Sequence, residues 1–365
     1  MKHIAGLIIL AVVLVSLVFF AVIYKLPEES AGSKIFNNQS LAESKKILSR
    51  LSLDQKIGQL FMIGFEEKVL TSEAEDLIKE VHPGAILLLG RNIEGEKQLK
   101  ELILSLQKIA LNDTGLPMFI AVDQEGGLIN RIDWVEKTPE SEIENKEQAY
   151  QVGFKRGEEL KELGVNLNLA PLLDSVDSDD FIGERGFQKS LEETEELAGA
   201  MIDGQKESGI FTCIKHFPGY GSISFNPEEK LAVLEEVPEV SQFQEAVKSS
   251  PEMIMISNVV YNELDENLPF AFSEKSIQFL KEKIGSNILV VSDDLSQNSL
   301  LDKFSLSEIV ASPFNAGADL LIFSGWRLPA IDGIAEFRKA VDDGQISKER
   351  INQSVLKIIE LKQGL

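Results

Sequence analysis

Hydrophobic and polar residues are arranged along this chain in two repeating kinds of segment. The first kind is a short run that is almost entirely apolar, and eight such runs occur in order: GQLFMIGF, AILLLG, MFIAVD, NLNLAPLLD, TCIKHF, MIMISNVV, NILVVSD and DLLIFSG. Runs without alternation are typical of strands that helices cover on both faces. The second kind, such as ELILSLQKIAL and SEKSIQFLKEKI, repeats its apolar residues at helical spacing and predicts amphipathic helices.

Eight strand–helix units predict the architecture of residues 41–365. A (β/α)8 TIM barrel needs this number of units, so we predict an α/β fold in which one barrel domain fills the range. A doubly wound parallel sheet is the alternative. It usually has fewer strands, however, and no GxGxxG motif follows the first apolar run.

A longer apolar segment precedes the repeating units. Residues 4–23 read IAGLIILAVVLVSLVFFAVI and carry no charge. At about 1.5 Å per residue this segment spans about 30 Å, the thickness of the hydrocarbon core of a bilayer. We therefore predict one N-terminal transmembrane helix, a signal anchor over residues 1–25, with a cleaved signal peptide as the alternative. The polar residues 26–40 show no periodicity and are predicted to be a linker.

The charges beside the apolar segment predict which side of the membrane the barrel occupies. Lys2 and His3 precede the segment, whereas Lys25 after it is soon followed by Glu28 and Glu29. This mild asymmetry favours a cytoplasmic amino end. We therefore expect a membrane-anchored protein whose folded domain is extracytoplasmic.

Composition narrows the range of functions. Of the 365 residues 44% are hydrophobic, enough for a large core, and the formal net charge is −23. Such an acidic chain repels phosphate backbones, so no nucleic-acid partner is expected. The single cysteine, Cys213, excludes an intramolecular disulfide and a thiolate-rich zinc site. The three histidines form no HxH or HxxxH pair; a carboxylate-only magnesium site stays open, but we expect no metal and no cofactor.

Polar side chains follow most of the apolar runs, at the strand ends that a barrel brings together on one rim. They are Arg91-Asn92, Asp123-Gln124-Glu125, Asp174, Lys215-His216, Asn258 and Asp293-Asp294. Taken singly, each has a structural interpretation: Asp294, for example, is predicted to be the N-cap of a helix that starts at Leu295. His216 is typical of a histidine satisfied within the barrel, and Arg91 and Arg185 of salt bridges at the rim. Taken together, these residues predict a polar functional site.

The residue types at this rim favour one kind of chemistry. A serine hydrolase would use His216 as its base, but no GxSxG motif accompanies it. Only SGWRLPA, after the last strand, weakly resembles a phosphate-binding loop. Hydrolysis of a glycosidic bond needs two carboxyl groups. The sequence therefore favours carboxylate chemistry on a neutral, hydroxyl-rich substrate.

A set of strings carries a family resemblance, in this order: KIGQLFMIGF, GAILLLGRNI, AVDQEGGLINR, GVNLNLAPLLD, IGERGF, IKHFPGYG, VVSDDLS and AGADLLI. Over about residues 51–365 the chain resembles the single-domain β-N-acetylhexosaminidases of glycoside hydrolase family 3. The resemblance implies a barrel, in agreement with the count of strands. It also implies a carbohydrate substrate that contains N-acetylglucosamine, with peptidoglycan as one source.

The resemblance further implies roles for individual residues. Asp293, the first acid of SDDL, matches the nucleophile, which forms a covalent glycosyl-enzyme with retention of configuration. A cation beside Asp293 is expected to keep it ionised. The positions that match sugar-binding residues of the family are Asp123, Arg131, Arg185, Lys215 and His216.

The sequence departs from the family at the acid/base loop. There the family has KHFPGHG, then GDT, then DSH, whose histidine is the acid/base. Here the run is KHFPGYGSISFNPEEK, with Tyr220 in place of the second histidine of KHFPGHG and Asn226-Pro227-Glu228 in place of DSH. The loop therefore contains no histidine that could act as the acid.

Three hypotheses follow from this departure. In an active hydrolase, Glu228 or its neighbour Glu229 takes the role of acid/base. In a catalytically impaired pseudoenzyme, the chain is a membrane-anchored glycan-binding module. In the third, the barrel is only an interaction surface at the membrane. A structural interpretation competes with catalysis, because NPEEK also resembles a helix start with Asn226 as its cap.

Overall fold

The structure is a computed structural model that describes residues 31–174, 179–325 and 328–365. The predicted anchor at residues 1–25 lies outside these ranges. Within them, no helix combines the length and the apolar character that crossing a bilayer requires. The chain divides into two compact units, Met1–Lys46 and Ile47–Leu365, and the barrel lies in the second.

The predicted linker is partly helical. Helix α1 spans Ala31–Arg50 and so includes residues 31–40 of the predicted linker. The second half of this helix, LAESKKILSR, consists mostly of Ala, Leu, Lys, Glu and Arg, for which the helical conformation costs little free energy. The helix extends from this favourable part toward the amino end.

Eight parallel strands close into a barrel, which confirms the predicted (β/α)8 fold. They are numbered β1 to β8 in chain order: Phe61–Ile63, Ala85–Leu88, Phe119–Val122, Leu167–Asn168, Phe211–Phe217, Met253–Ile256, Leu289–Asp294 and Leu320–Phe323. Each strand pairs with its neighbours in sequence. The barrel closes where β1 pairs with β8, with Phe61 opposite Leu321.

Each barrel strand coincides with one of the eight apolar runs, and only Phe211 of β5 and Asp294 of β7 lie outside them. All residues of β1, β2, β3 and β8 are buried, because helices cover the outside of the barrel and side chains fill its inside. The run NLNLAPLLD yields only the two residues of β4 and one bridge between Leu172 and Lys215. Pro171 interrupts this run because it has no N–H to donate.

Helices α2 to α12 connect the strands and surround them: Leu53–Gln59, Ser72–Val81, Glu96–Asp113, Lys146–Leu163, Leu191–Ser208, Ser241–Ala246, Glu274–Ile284, Asn298–Leu301, Leu306–Ala316, Ala330–Asp342 and Lys348–Lys362. Their limits follow local signals. Ser190 caps α6 by accepting from the N–H of Glu193, whose side chain returns to the Ser190 backbone. The same helix ends at Gly209, whose φ of 82° is a left-handed conformation that glycine adopts without steric cost.

A long connection between β5 and α7 carries two of the segments that the sequence singled out. It contains the end of KHFPGYG and all of NPEEK. Part of it, Val233–Leu234, pairs in parallel with Val260–Tyr261, which follows β6. This pairing holds the connection over the carboxyl ends of the strands.

Candidate active site

A cavity of about 470 Å³ opens at the carboxyl ends of the barrel strands. Apolar residues of the strands contribute to its lining, among them Leu87, Met255 and Ile322. All seven residues predicted to form the site line it as well: Asp123, Arg131, Arg185, Lys215, His216, Glu228 and Asp293. The barrel thus brings together side chains that lie far apart in the sequence.

Four charged side chains form one network, the charge cluster: Asp123, Glu125, Arg185 and Lys215. The Lys215 ammonium lies 2.7 Å from Asp123 Oδ1 and 2.6 Å from Glu125 Oε1. Arg185 donates two hydrogen bonds to Glu125, of 2.9 and 2.7 Å. Arg131 lies at the edge of the cluster, with its Nη2 atom 3.7 Å from Asp123 Oδ2. Two carboxylates thus neutralise two cations inside the barrel.

Burial and ion pairing shift the pKa values of the charge cluster in opposite directions. Burial alone would raise the pKa of Glu125, but the charges of Arg185 and Lys215 outweigh it and hold that pKa well below its usual range. Asp123 behaves likewise, because Lys215 and Arg131 lower its pKa against the effect of burial. Burial would lower the pKa of Lys215, yet Asp123 and Glu125 raise it. The cluster therefore stays ionised at neutral pH and presents acceptors and charged donors together.

Glu125 is the member of the cluster to which the sequence assigned no role. Its side chain is buried, and it lies in the short strand Gln124–Gly126, which pairs with Ile129–Asn130. The sequence offered one indication of a role for Glu125, namely its position two residues after Asp123 at the same strand end. Its contacts show that it holds Arg185 and Lys215 in place.

A buried aspartate fixes the loop that follows β5. Asp174 accepts hydrogen bonds from the backbone N–H of His216 at 3.0 Å, from His216 Nδ1 at 3.0 Å and from the backbone N–H of Tyr220 at 2.6 Å. The ring of His216 packs edge-on against that of Tyr220, with centroids 4.8 Å apart. His216 and Tyr220 are thus held as one unit in the lining of the cavity.

Asp293 is the second-to-last residue of strand β7 and is buried. Its Oδ2 atom accepts a hydrogen bond of 2.5 Å from the hydroxyl of Tyr220, and its Oδ1 atom accepts one of 2.7 Å from the N–H of Asp294. The expected cation beside Asp293 is not found: no lysine or arginine in the described ranges forms an ion pair with it. Lys215 and Arg185 are paired with the carboxylates of the charge cluster, and the neutral phenol of Tyr220 lies beside Asp293 where a cation was expected. Tyr220 is thus a second site residue to which the sequence assigned no role.

The prediction that Asp294 caps a helix is wrong. Its Oδ1 atom accepts from the N–H of Ser296 at 2.9 Å and from the N–H of Ser324, beyond β8, at 3.2 Å. The next helix, α9, begins only at Asn298. Burial raises the pKa of Asp294 in spite of these hydrogen bonds. Asp294 therefore ties the end of β7 to the end of β8.

The NPEEK segment forms a single turn rather than the start of a helix. The Asn226 side chain accepts from the N–H of Glu228 at 2.9 Å, and the Asn226 carbonyl oxygen accepts from the N–H of Lys230 at 3.3 Å. After Lys230 the chain leaves the turn and becomes extended. The cap signal of Asn226 is thus present, but it is not followed by a helix.

The turn at residues 226–230 is held against α9. The N–H of Ser299 donates to the Glu228 carbonyl oxygen at 2.9 Å, and Asn298 Nδ2 donates to Glu229 Oε2 at 2.6 Å. The side chain of Glu229 is therefore directed to α9, whereas that of Glu228 lines the cavity. The structure thus distinguishes two neighbours that the sequence left as alternatives.

The surroundings of Glu228 favour its protonated form. Its side chain is solvent-accessible at the mouth of the cavity. Partial burial against the lining, followed by the negative charges of Asp293 and Asp294, raises its pKa. A carboxyl group in these surroundings is suited to donate a proton.

Arg91 forms a salt bridge at the rim, as predicted. Its Nε atom lies 3.2 Å from Glu66 Oε1, and its guanidinium donates to the carbonyl oxygens of Phe65 at 3.0 Å and Ser324 at 2.6 Å. Arg185 also forms a salt bridge, with the buried Glu125. Across the described residues, no group of three or more His, Cys, Asp or Glu side chains is arranged to hold a metal ion.

Similar proteins show the family to which this arrangement belongs. The family described as "Glycosyl hydrolase family 3 N terminal domain" matches residues 52–361. A β-hexosaminidase of Tolumonas auensis is 30% identical over 277 residues, which cover 72% of this chain and 81% of that protein. The β-hexosaminidase LpqI of Mycobacterium tuberculosis is 26% identical over 348 residues, or 89% of this chain and 86% of that protein.

A solved structure agrees with these matches. The glycoside hydrolase family 3 β-N-acetylglucosaminidase from Paenibacillus sp. str. FPU-7 has a TM-score of 0.80 and 31% identity, over 86% of this chain. This chain spans 62% of the length of that protein. Because the family match covers most of the sequence, the chain belongs to glycosyl hydrolase family 3.

Proposed function

We propose that this chain is a retaining β-N-acetylhexosaminidase that hydrolyses β-N-acetylglucosaminides. One observation carries the proposal: two carboxyl groups in different surroundings line the same cavity. Asp293 accepts two hydrogen bonds inside the barrel, whereas the pKa of Glu228 at the mouth is raised. A retaining glycosidase needs one ionised and one protonated carboxyl group. The relatives named β-hexosaminidases support the class of substrate.

The charge cluster supplies contacts for the hydroxyl groups of the sugar. In this proposal Asp123 accepts hydrogen bonds from hydroxyl groups, and Lys215, Arg131 and Arg185 donate charge-assisted ones. His216 adds its ring, which Asp174 orients. Because the cluster is already paired in the free protein, it does not need to reorganise when the sugar binds.

In the first step Asp293 attacks the anomeric carbon, C1. A bond forms between a carboxylate oxygen and C1, the bond from C1 to the glycosidic oxygen breaks, and that oxygen takes the proton of Glu228. In the second step a water molecule gives a proton to Glu228 while its oxygen bonds to C1. Asp293 then leaves as a carboxylate. Each step inverts the configuration at C1, so the two together retain it.

Glu228, and not Glu229, is the acid in this proposal. Asn298 binds the Glu229 carboxylate and directs it toward α9, so Glu229 is not placed to donate a proton to the substrate. Glu228 lies in the lining of the cavity that also contains Asp293. The backbone hydrogen bond from Ser299 fixes the turn that carries Glu228.

A second candidate function is that of a catalytically impaired glycan-binding module. The observation that favours it is the exposure of Glu228 on a single turn, in a loop that has no histidine. General acid catalysis contributes typically about 10²–10⁴-fold to the rate. A chain that lacks it would keep the sugar site but cleave natural glycans very slowly.

We also propose that residues 1–25 anchor the protein in a membrane and that the barrel lies on the extracytoplasmic side. The uncharged apolar segment at residues 4–23 supports the anchor, and the charges around it support the orientation. In that location the substrates include glycans derived from peptidoglycan.

The hydrolase proposal is tested with the full-length chain and 4-nitrophenyl N-acetyl-β-D-glucosaminide. This aryl leaving group needs little protonation, so it reports on Asp293 separately from the acid. We expect turnover by the wild type and a loss of at least about 10³-fold in Asp293→Asn. Glu228→Gln should release the first equivalent of 4-nitrophenol at close to the wild-type rate, because that step needs no acid with this leaving group. It should turn over N,N′-diacetylchitobiose about 10²–10⁴-fold more slowly, because Glu228 is the acid of the first step and the base of the second.

Glu229→Gln is the matched control for Glu228→Gln. It makes the same change of charge one residue away, on a side chain that Asn298 holds against α9. It should alter neither rate by more than about threefold, because Glu229 transfers no proton in this mechanism. Equal losses in the two variants would refute the role of Glu228. Folded wild-type protein that turns over no aryl substrate would leave the glycan-binding module as the better answer.

A further inference from the structure

Among the side chains that the structure describes, Tyr220 is the one that donates a hydrogen bond to the Asp293 carboxylate. The bond joins Tyr220 Oη to Asp293 Oδ2 at 2.5 Å, and the tyrosine is only 6% exposed. Burial, followed by the negative charge of Asp293, raises the pKa of Tyr220 well above its usual range. The phenol therefore stays protonated and acts as a donor.

The position of this phenol is set by the loop after β5 and not by Asp293. The N–H of Tyr220 donates to Asp174 Oδ1 at 2.6 Å, and the ring packs edge-on against that of His216. His216 is itself held by two hydrogen bonds to Asp174. Because these contacts fix Tyr220 independently, the phenol can orient the carboxylate rather than follow it.

The charged groups around Asp293 make a neutral donor important. The ionisable groups that line the cavity with Asp293 are Asp294 on its own strand, Glu228, His216, Arg91, Arg131 and three members of the charge cluster, Asp123, Arg185 and Lys215. Asp294 and Glu228 are acids, and the cations are paired with other carboxylates. Hydrogen-bond donors, and not an adjacent cation, must therefore stabilise the ionised Asp293.

We propose that Tyr220 is a positioning residue for the nucleophile: its hydroxyl fixes the rotation of the Asp293 carboxylate and stabilises the ionised form. This inference rests on the proposed function of Asp293. The rotation is fixed because Tyr220 occupies Oδ2 while the N–H of Asp294 occupies Oδ1. In the glycosyl-enzyme one carboxylate oxygen bonds to C1, and the phenol keeps its proton in both steps.

The inference is tested by Tyr220→Phe, which removes only the hydroxyl. In wild type and variant, kcat and KM for 4-nitrophenyl N-acetyl-β-D-glucosaminide are measured across a range of pH. The acidic limb of the kcat/KM profile reports protonation of the nucleophile in the free enzyme. Loss of a hydrogen bond to a charged group should move this limb upward by about one pH unit. We expect kcat to fall about 10–100-fold and KM to change by less than about threefold.

Tyr261→Phe is the matched control. Tyr261 is also buried, and its hydroxyl bonds to the Gly219 carbonyl oxygen at 2.5 Å and to Ser257 Oγ at 3.0 Å, so it supports the same loop without contacting Asp293. Its loss should leave the acidic limb in place, whatever it does to the rate. An unmoved limb in Tyr220→Phe, or an equal shift in both variants, would show that Tyr220 is only structural.

A second measurement does not depend on turnover. The chain has four tyrosines, so labelling with [¹³Cζ]tyrosine gives few NMR signals, and Tyr220→Phe assigns the one from Tyr220. Asp293→Asn replaces a charged acceptor by a neutral one, so the Tyr220 signal should move while that of Tyr261 stays. An unmoved Tyr220 signal would overturn the inference. If the wild type has no turnover, the proposed function fails, and the spectrum then tests only whether the Tyr220 hydroxyl bonds to the Asp293 carboxylate.

Discussion

Lys362, the last residue of α12, is buried in the second unit with no acidic partner among the described residues. Its Nζ atom donates to Gln59 Oε1 at 2.7 Å and lies 5.2 Å from the centroid of the Phe119 ring. Burial lowers the pKa of Lys362 to about 7. The buried Lys215 shows the opposite result, because its carboxylate partners outweigh the effect of burial.

The lowered pKa of Lys362 predicts a dependence of stability on pH. An unfolded lysine has a pKa of about 10.4, so from about pH 7 to about pH 8 the unfolded chain binds one more proton than the folded chain. Above this window the unfolded Cys213 thiol begins to lose its proton, whereas burial raises the pKa of the folded thiol, and the two effects oppose each other. The free energy of unfolding should therefore rise with pH across this window and lose that slope below it. Lys362→Met should remove the slope and raise the free energy of unfolding at pH 7 by about 1–3 kcal/mol.

Urea unfolding at several pH values measures both effects of Lys362→Met. Lys348→Met is the control, because Lys348 is an exposed lysine of the same helix. It should keep the wild-type slope. A slope that persists in Lys362→Met would mean that Lys362 is already protonated in the folded protein at the upper end of the window.

At the scale of residues, the sequence predicted which side chains meet but not how they pair. Asp123, Lys215 and Asp293 could be placed in one site because parallel strands deliver their ends to one rim. The contact between Tyr220 and Asp293 joins positions 73 residues apart and depends on the folded shape of a loop. Distances of this kind decide which donor reaches which carboxylate, and residue types alone do not encode them.

At the scale of elements, one buried aspartate ties α12 to the barrel. Asp319, directly before β8, is fully buried. Its carboxylate accepts from Arg350 Nη1 at 3.3 Å, from Ser354 Oγ at 2.6 Å and from Lys357 Nζ at 2.8 Å. All three donors belong to α12, so a single side chain joins the last helix to the last strand.

Asp319→Asn should destabilise the barrel. The substitution removes the negative charge and turns an amide toward two cations, so we expect the free energy of unfolding to fall by about 2–4 kcal/mol in urea. The matched control is Glu360→Gln, on an exposed residue of the same helix, which should change it by less than about 0.5 kcal/mol. Equal changes in the two variants would mean that the Asp319 contacts contribute no more than a surface charge.

The predicted cap at Asp294 and the alternative helix start at Asn226 are both absent, and for the same physical reason. Asp294 and Asn226 each carry a local cap signal, but contacts across the site determine the structure. Asp294 bonds to Ser324 beyond the neighbouring strand, and the turn after Asn226 docks on Ser299 of α9. Strands were predicted more reliably, because each needs only an apolar run that helices cover.

At the scale of the whole molecule, an anchor at residues 1–25 predicts where a protease can reach the barrel. Proteinase K added to bacterial spheroplasts that contain the full-length chain should degrade the barrel, because the enzyme reaches the outer face of the inner membrane but does not cross it. A cytoplasmic marker protein in the same cells should survive until detergent is added. A protected barrel would contradict the proposed orientation, and barrel released into the medium would indicate a cleaved signal peptide.

The closure of the barrel between β1 and β8 also has a consequence for biosynthesis. A ribosome releases Phe61 long before Leu321, the residue opposite it, because the two are 260 positions apart in the sequence. Until then the nascent sheet has an unpaired edge at β1, and such edges associate readily with other chains. Chaperone binding or rapid elongation would shorten the exposure of this edge during synthesis.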